Sequence, residues 1–198
     1  MLVERMVSQG EIDAIVDRVA TEVEADLVGK RPVFVCVLKG AVFFFTRLIQ
    51  RLEATLAIDF IQLSSYGGTT ETSGTVTLVK DITVDIGGKD VYVVEDIVDT
   101  GYTLTDLLQL IRARHPRSVK VVALLSKPSR RRIEVGVDFL GIEIPDRFVV
   151  GFGLDFAEHF RNLPEIWEYR PDQEGPWKEP IDVRAGSPWE APWGSSWP

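Results

Sequence analysis

Apolar residues along this chain fall into two different periods. Ile12, Ile15, Val16, Val19 and Val23 recur at helical spacing. Ser8, followed three residues on by Glu11, makes a capping-box pattern ahead of them, and Gly29 is a natural stop, so a helix is expected in between. A short continuous apolar run comes next, at 32–38 (PVFVCVL), which suits a strand buried on both faces of a parallel sheet. A second strand is expected at 56–65 (LAIDFIQLSS) and further core strands at 90–94 (DVYVV) and 119–125 (VKVVALL). Residues 40–52 read as a very apolar helix and 104–114 (LTDLLQLIRAR) as an amphipathic one. Residues 75–80 alternate like an exposed strand, and shorter strands are expected at 137–140 and 148–150. Strands and helices alternate, which implies an α/β fold with a mostly parallel central sheet flanked by helices. Such sheets bind ligands at the carboxyl ends of their strands, where the loops beginning at Leu38, Glu95 and Ser126 would lie.

Composition narrows the classes. The chain has 198 residues, 45% of them hydrophobic and 26% charged, as expected of an ordinary globular protein. The lone Cys36 excludes a disulfide scaffold and a cysteine-rich zinc site. Apolar runs such as 41–45 fall far short of the ~20 residues a membrane helix needs, and no charged-then-apolar leader opens the chain, so the cytoplasm is the expected location. A net charge of −8 argues against nonspecific nucleic-acid binding. The segment after Arg170 stands apart: it holds Trp177, Trp189, Trp193 and Trp197 together with six prolines. The expected organisation is a domain over 1–170 and a Pro/Trp-rich tail over 171–198, extended or disordered.

The most informative stretch is 93–105, VVEDIVDTGYTLT. A buried strand runs into Glu95 and Asp96, and Asp99, Thr100, Gly101, Tyr102 and Thr103 then open a helix. A helix start offers free N–H groups and a partial positive charge, which suit a phosphate. Gly101 permits close backbone approach, while Thr100 and Thr103 add hydroxyls. The pattern is neither a P-loop nor a GxGxxG fingerprint. Capping by Asp99 or Thr100 explains one or two polar residues here. It does not explain three carboxylates within five residues beside an anion cradle. Carboxylates tolerate a phosphate when ribose hydroxyls or Mg²⁺ mediate, and that combination describes a sugar phosphate.

This stretch resembles the phosphoribosyl-pyrophosphate motif of the type I phosphoribosyltransferases. FVCVLKGAVFFFTRLI, SSYGGTTETSG, LLSKPSRRR and FLGIEIPDRFVVGFGLDFAEHFRNLPEI resemble, in order, segments of the hypoxanthine-guanine phosphoribosyltransferases. The match spans about residues 5–169, and the tail has no counterpart. The resemblance implies the type I fold with a small hood and a flexible lid loop. It implies transfer of ribose 5-phosphate from phosphoribosyl pyrophosphate to a 6-oxopurine, with Mg²⁺ as cofactor, by a homodimer or homotetramer. A nucleotide-binding regulator with the same fold and a xanthine-preferring transferase are the alternatives. Asp99, Lys127, the Phe148–Val149 pocket and the acidic charge speak against the regulator.

By resemblance, Glu95 and Asp96 bind the ribose hydroxyls with Mg²⁺ nearby, and Asp99 is the general base facing an imidazole-ring nitrogen of the purine. Asp99 through Thr103 cradle the 5′-phosphate, with a backbone role for Tyr102. Lys39 and Gly40 contact pyrophosphate, and the Leu38–Lys39 peptide can be cis. Lys127 donates to the purine 6-oxo oxygen; an ammonium has only donors, which favours oxo over amino. Phe148 stacks on the purine and the Val149 backbone reads its edge. Asp155 reaches a second Mg²⁺ beside the purine, and Arg161 contacts pyrophosphate. Ser65 and Tyr66 belong to a Gly-rich lid over 65–74 that would exclude water. Arg130, Arg131 and Arg132 read as a solvated charge run, His115 as a helix-end residue and His159 as structural or solvent-facing.

Overall fold

The computed structural model describes residues 1–65 and 76–170. In chain order the elements are β1 (Leu2–Val7), α1 (Gln9–Asp26), β2 (Pro32–Val37), α2 (Val42–Ile49), β3 (Ala57–Ser65), β4 (Val76–Lys80), β5 (Asp90–Val98), α3 (Tyr102–Arg112), β6 (Ser118–Ser126), β7 (Phe139–Glu143), β8 (Val149–Val150) and β9 (Ile166–Tyr169), with one 3-10 turn at Pro128–Arg130. The tail over 171–198 and the loop over 66–75, including Tyr66, lie outside the described residues; Ser65 is the last residue of β3.

The capping box forms as its sequence predicts. The Ser8 hydroxyl accepts from the Glu11 N–H at 3.3 Å, and the Glu11 carboxylate accepts from the Ser8 N–H at 2.8 Å. Ile12, Val16, Val19 and Val23 of α1 are buried. Every residue of β2 is buried, as a central parallel strand requires. The main sheet has the order β4-β3-β2-β5-β6-β7, and only β4 is antiparallel to its neighbour.

Alternation along the strands sorts side chains into two cores. Phe34, Cys36, Tyr92 and Val94 pack with α1 and α2. Val33, Val35 and Val93 pack with Leu104, Leu107, Leu108 and Ile111 of α3. Asp90 opens β5, where Arg117 and Ser118 at the start of β6 both donate to its carboxylate. The adjoining Arg117 guanidinium outweighs burial and holds the Asp90 carboxyl at about 2.

A second sheet of order β1-β9-β8 covers one end of the first and forms the hood, with its own small core of Val150, Phe160, Leu163 and Tyr169. Its strands β1 and β9 are not marked by the apolar pattern. They pair antiparallel with two register shifts, joining the chain's beginning to residues more than 150 positions later. Two observed elements also extend past their apolar runs. Pairing of β5 with β6 continues to Val98 opposite Ser126, so Glu95 and Asp96 are strand residues rather than loop residues. Helix α3 begins at Tyr102, two residues before its first buried leucine. Among the described residues no helix is long and apolar enough to cross a membrane.

Candidate active site

The carboxyl ends of β2, β5 and β6 meet beneath the hood. Glu95 is buried, and burial pushes its carboxyl well above the usual range, with the Asp96 charge adding to the effect. Burial also raises the Asp96 carboxyl, to about 6, against the pull of the Ile97 N–H and the Arg161 guanidinium. A buried acid beside a half-buried one favours partners that donate hydrogen bonds or carry positive charge. Gly40 closes one side of this pair. A Cβ there would fall inside the Asp96 carboxylate, and a Cβ on Gly153 would in turn fall onto the Gly40 carbonyl. The Gly153 backbone, the Gly40 backbone and the Asp96 carboxylate are therefore packed to contact, and the Leu38–Lys39 peptide leading into Gly40 is cis.

Beyond β5 the chain turns at Gly101, whose φ of 93° favours glycine. The turn also demands glycine for space, since a Cβ would stand 2.5 Å from the Ile133 carbonyl. The Thr100 carbonyl accepts from the N–H groups of Arg132 and Ile133, at 2.9 and 3.2 Å, and holds the turn from outside. Tyr102 and Thr103 are exposed at the first turn of α3, where N–H groups lack intrahelical acceptors. The geometry is that of an anion cradle.

On the other side, Asp99 and Lys127 face each other across a cleft of about 320 Å³. Lys127 is 5% exposed, and its ammonium lies 4.0 Å from the Asp99 carboxylate. Burial pulls the Lys127 pKa down and Asp99 pulls it back up. Phe148 is 48% exposed on the cleft wall, edge-on to Phe156, so its ring is not a core aromatic. Val149 beside it is buried and pairs with Glu168 of β9.

Arg130 departs from the sequence reading. The 3-10 turn after Lys127 folds it back over the cleft, where its Nε lies 2.7 Å from Asp99 Oδ1 and its Nη1 3.4 Å from Asp146. Asp99 Oδ1 is buried there without an aligned hydrogen-bond donor. Arg131 donates to the Ser126 hydroxyl at 2.8 Å. The three arginines are thus not one solvated run. Apolar periodicity carries no signal for this, because it takes the turn geometry of Pro128–Arg130 to aim the side chains.

The third cluster joins the β2 loop to the hood. Arg161 pairs with Asp155 at 2.9 Å and donates to the Gly153 carbonyl at 2.7 Å. Glu158, which no motif singled out, accepts from Lys39 at 2.9 Å and lies 3.5 Å from Arg161. The Lys39 hydrogen bond holds the Glu158 carboxyl below its usual range. His159 next to it is exposed. Glu95, Asp96 and Asp155 do not gather into a three-ligand metal cage among the described residues. Mg²⁺ commonly takes only one or two carboxylates and completes its shell with water and substrate phosphates, and the pair of buried Glu95 and half-buried Asp96 fits that mode.

An anion-cradle geometry at the end of an acid-bearing parallel strand, roofed by a small hood, is the arrangement expected of a phosphoribosyltransferase. Residues 6–157 match the model of the phosphoribosyl transferase domain family, to which the chain belongs. The hypoxanthine-guanine phosphoribosyltransferase of Bacillus subtilis (strain 168) is 42% identical over 166 residues, 84% of this chain and 92% of that one. A crystal structure of a hypoxanthine phosphoribosyltransferase from Staphylococcus aureus matches with a TM-score of 0.83 at 40% identity, covering 86% of this chain and 92% of that one. Within the wider class the chain belongs to the hypoxanthine-guanine phosphoribosyltransferase family, whose members serve purine salvage. The bifunctional TilS/HprT protein of Listeria monocytogenes serotype 4b (strain F2365) is likewise 42% identical, over 167 residues, and this chain spans 26% of its length.

Proposed function

We propose that the chain transfers the 5-phosphoribosyl group from phosphoribosyl pyrophosphate to hypoxanthine or guanine, giving IMP or GMP and pyrophosphate. One observation carries this reading: the buried Lys127 ammonium lies 4.0 Å from Asp99 in a cleft walled by the half-exposed Phe148 ring. A buried group with only donors matches a 6-oxo oxygen, a carboxylate matches a ring N–H, and an open aromatic face matches a purine plane.

In the reaction a purine ring nitrogen bonds to the anomeric carbon while the bond from that carbon to pyrophosphate breaks. Asp99 takes the proton released from the base as the new bond forms. Its carboxylate is a weak base, so much of its effect comes from being held in place. Thr100 to Thr103 hold the 5′-phosphate by main-chain N–H groups. Glu95 and Asp96 accept from the ribose hydroxyls and are the groups that would hold Mg²⁺, with Asp155 toward a second ion. Bound there, Mg²⁺ would screen the charge of the leaving pyrophosphate. Lys39, Gly40 and Arg161 line the pyrophosphate side. Phe148 and the Val149 backbone position the base. We further infer a homodimer or homotetramer in the cytoplasm.

The direct test is incubation of the purified protein with phosphoribosyl pyrophosphate, Mg²⁺ and hypoxanthine. IMP is the expected product, and folded protein that yields none refutes the reading. Asp99→Asn should cut turnover more than substrate binding, and an unchanged rate refutes its role as base.

A further inference from the structure

Glu158 stands on a two-residue turn, with positive φ at Ala157 and Glu158. Its backbone N–H is pinned to the Asp155 carboxylate at 2.8 Å, while its side chain is 63% exposed. One oxygen of that side chain, Oε2, is 2.9 Å from Lys39 Nζ and 3.5 Å from Arg161 Nη2. Lys39 and Arg161 come from segments about 120 residues apart, and a single carboxylate oxygen draws both together.

From this geometry we infer that Glu158 is a built-in stand-in for pyrophosphate, occupying the two cations of that subsite until the ligand's oxygens displace it. The inference rests on the assignment of Lys39 and Arg161 to pyrophosphate. Displacement needs only side-chain rotation, since the backbone N–H stays on Asp155 and the carboxylate has solvent to move into. Binding exchanges one set of ion pairs for another and breaks no covalent bond. Two consequences follow. Lys39 is not left as an unpaired cation that would capture other phosphates, while Arg161, which Asp155 already holds at 2.9 Å, carries a second acidic neighbour; and departing pyrophosphate is replaced by an anion already attached to the chain. The cost is weaker binding of pyrophosphate and of its phosphoribosyl ester.

The test is titration calorimetry of magnesium pyrophosphate on the full chain, using wild type, Glu158→Gln, Glu158→Ala and Lys39→Met. Both Glu158 variants should bind about two- to fivefold more tightly at low salt, as loss of a competing exposed ion pair allows. The KM for phosphoribosyl pyrophosphate should fall by the same factor while the KM for hypoxanthine stays put. The advantage should shrink at high salt. If Lys39→Met weakens binding and the Glu158 variants bind as wild type or worse, the stand-in role is wrong. If Lys39→Met leaves binding unchanged, the subsite assignment fails and takes the inference with it.

Discussion

Gly40→Ala should disable the enzyme through Asp96. The added methyl would fall inside the Asp96 carboxylate and 2.7 Å from its Cγ, whereas carbon atoms rest about 3.5–4.0 Å apart. The loop cannot retreat, because the Gly40 carbonyl is packed against Gly153. Asp96 must therefore swing out of place. If it accepts from a ribose hydroxyl, that charge-assisted bond is lost, worth about 1.5–3 kcal/mol, or roughly 10- to 150-fold in kcat/KM. The assay is IMP formation at varied phosphoribosyl pyrophosphate, run for Gly40→Ala, Asp96→Ala and the double variant. If the loss runs through Asp96, Gly40→Ala costs little once that carboxylate is gone. Gly10→Ala in α1, where a Cβ meets nothing, is the control and should keep full activity. Losses that multiply in the double variant, or a fully active Gly40→Ala, would refute the reasoning.

Ser8→Ala removes the capping box of α1 and should cost about 1 kcal/mol, lowering Tm by about 2–4 °C without changing kcat; an unchanged Tm contradicts it. Asp90 is held at about 2 by Arg117, so its contribution is present above the unfolded carboxyl's pKa and is lost as pH falls through about 2. Denaturant unfolding of Arg117→Met should show it less stable than wild type at pH 7, with the gap closing between about pH 4 and 2; a gap independent of pH refutes the assignment. Lys127→Met should lower kcat/KM for hypoxanthine by about 10- to 100-fold, the worth of a charged hydrogen bond, and a wild-type value would remove Lys127 from base recognition. Truncation after Arg170 should leave oligomer size, measured by light scattering, and turnover unchanged if the tail is an appendage; a fall in either gives it a role in assembly.

The central sheet is legible in the sequence because β2, β5 and β6 carry apolar runs, the mark that strands buried on both faces of a parallel sheet leave on local sequence, while β3, with Ile58 exposed, is marked by a more broken apolar pattern. The turn after β5 is legible for a similar reason, since the residues that build it, Asp99 to Thr103, are consecutive. What is not legible depends on distant pairing. Leu2–Val7 and Ile166–Tyr169 become strands by meeting each other, and neither carries a clean period of two. Arg130 reaches Asp99 only through the 3-10 turn, and Glu158 meets Lys39 across 119 positions. The acidic net charge, which at first sight disfavours a polyphosphate ligand, is resolved in the same local terms. In the proposed mode of binding, helix N–H groups, Lys39 and Arg161 would face the phosphates, and part of the acidity is the Glu95–Asp96 pair itself.

The central claim is that this cleft selects a 6-oxopurine. The most direct measurement compares kcat/KM for hypoxanthine, guanine, xanthine and adenine with the full chain at saturating phosphoribosyl pyrophosphate and Mg²⁺. Hypoxanthine or guanine should be the best substrate, and adenine, which offers Lys127 an amino group in place of an acceptor, should fall at least 100-fold below by about 3 kcal/mol of lost and unpaired hydrogen bonding. Adenine turned over as well as hypoxanthine would contradict the account.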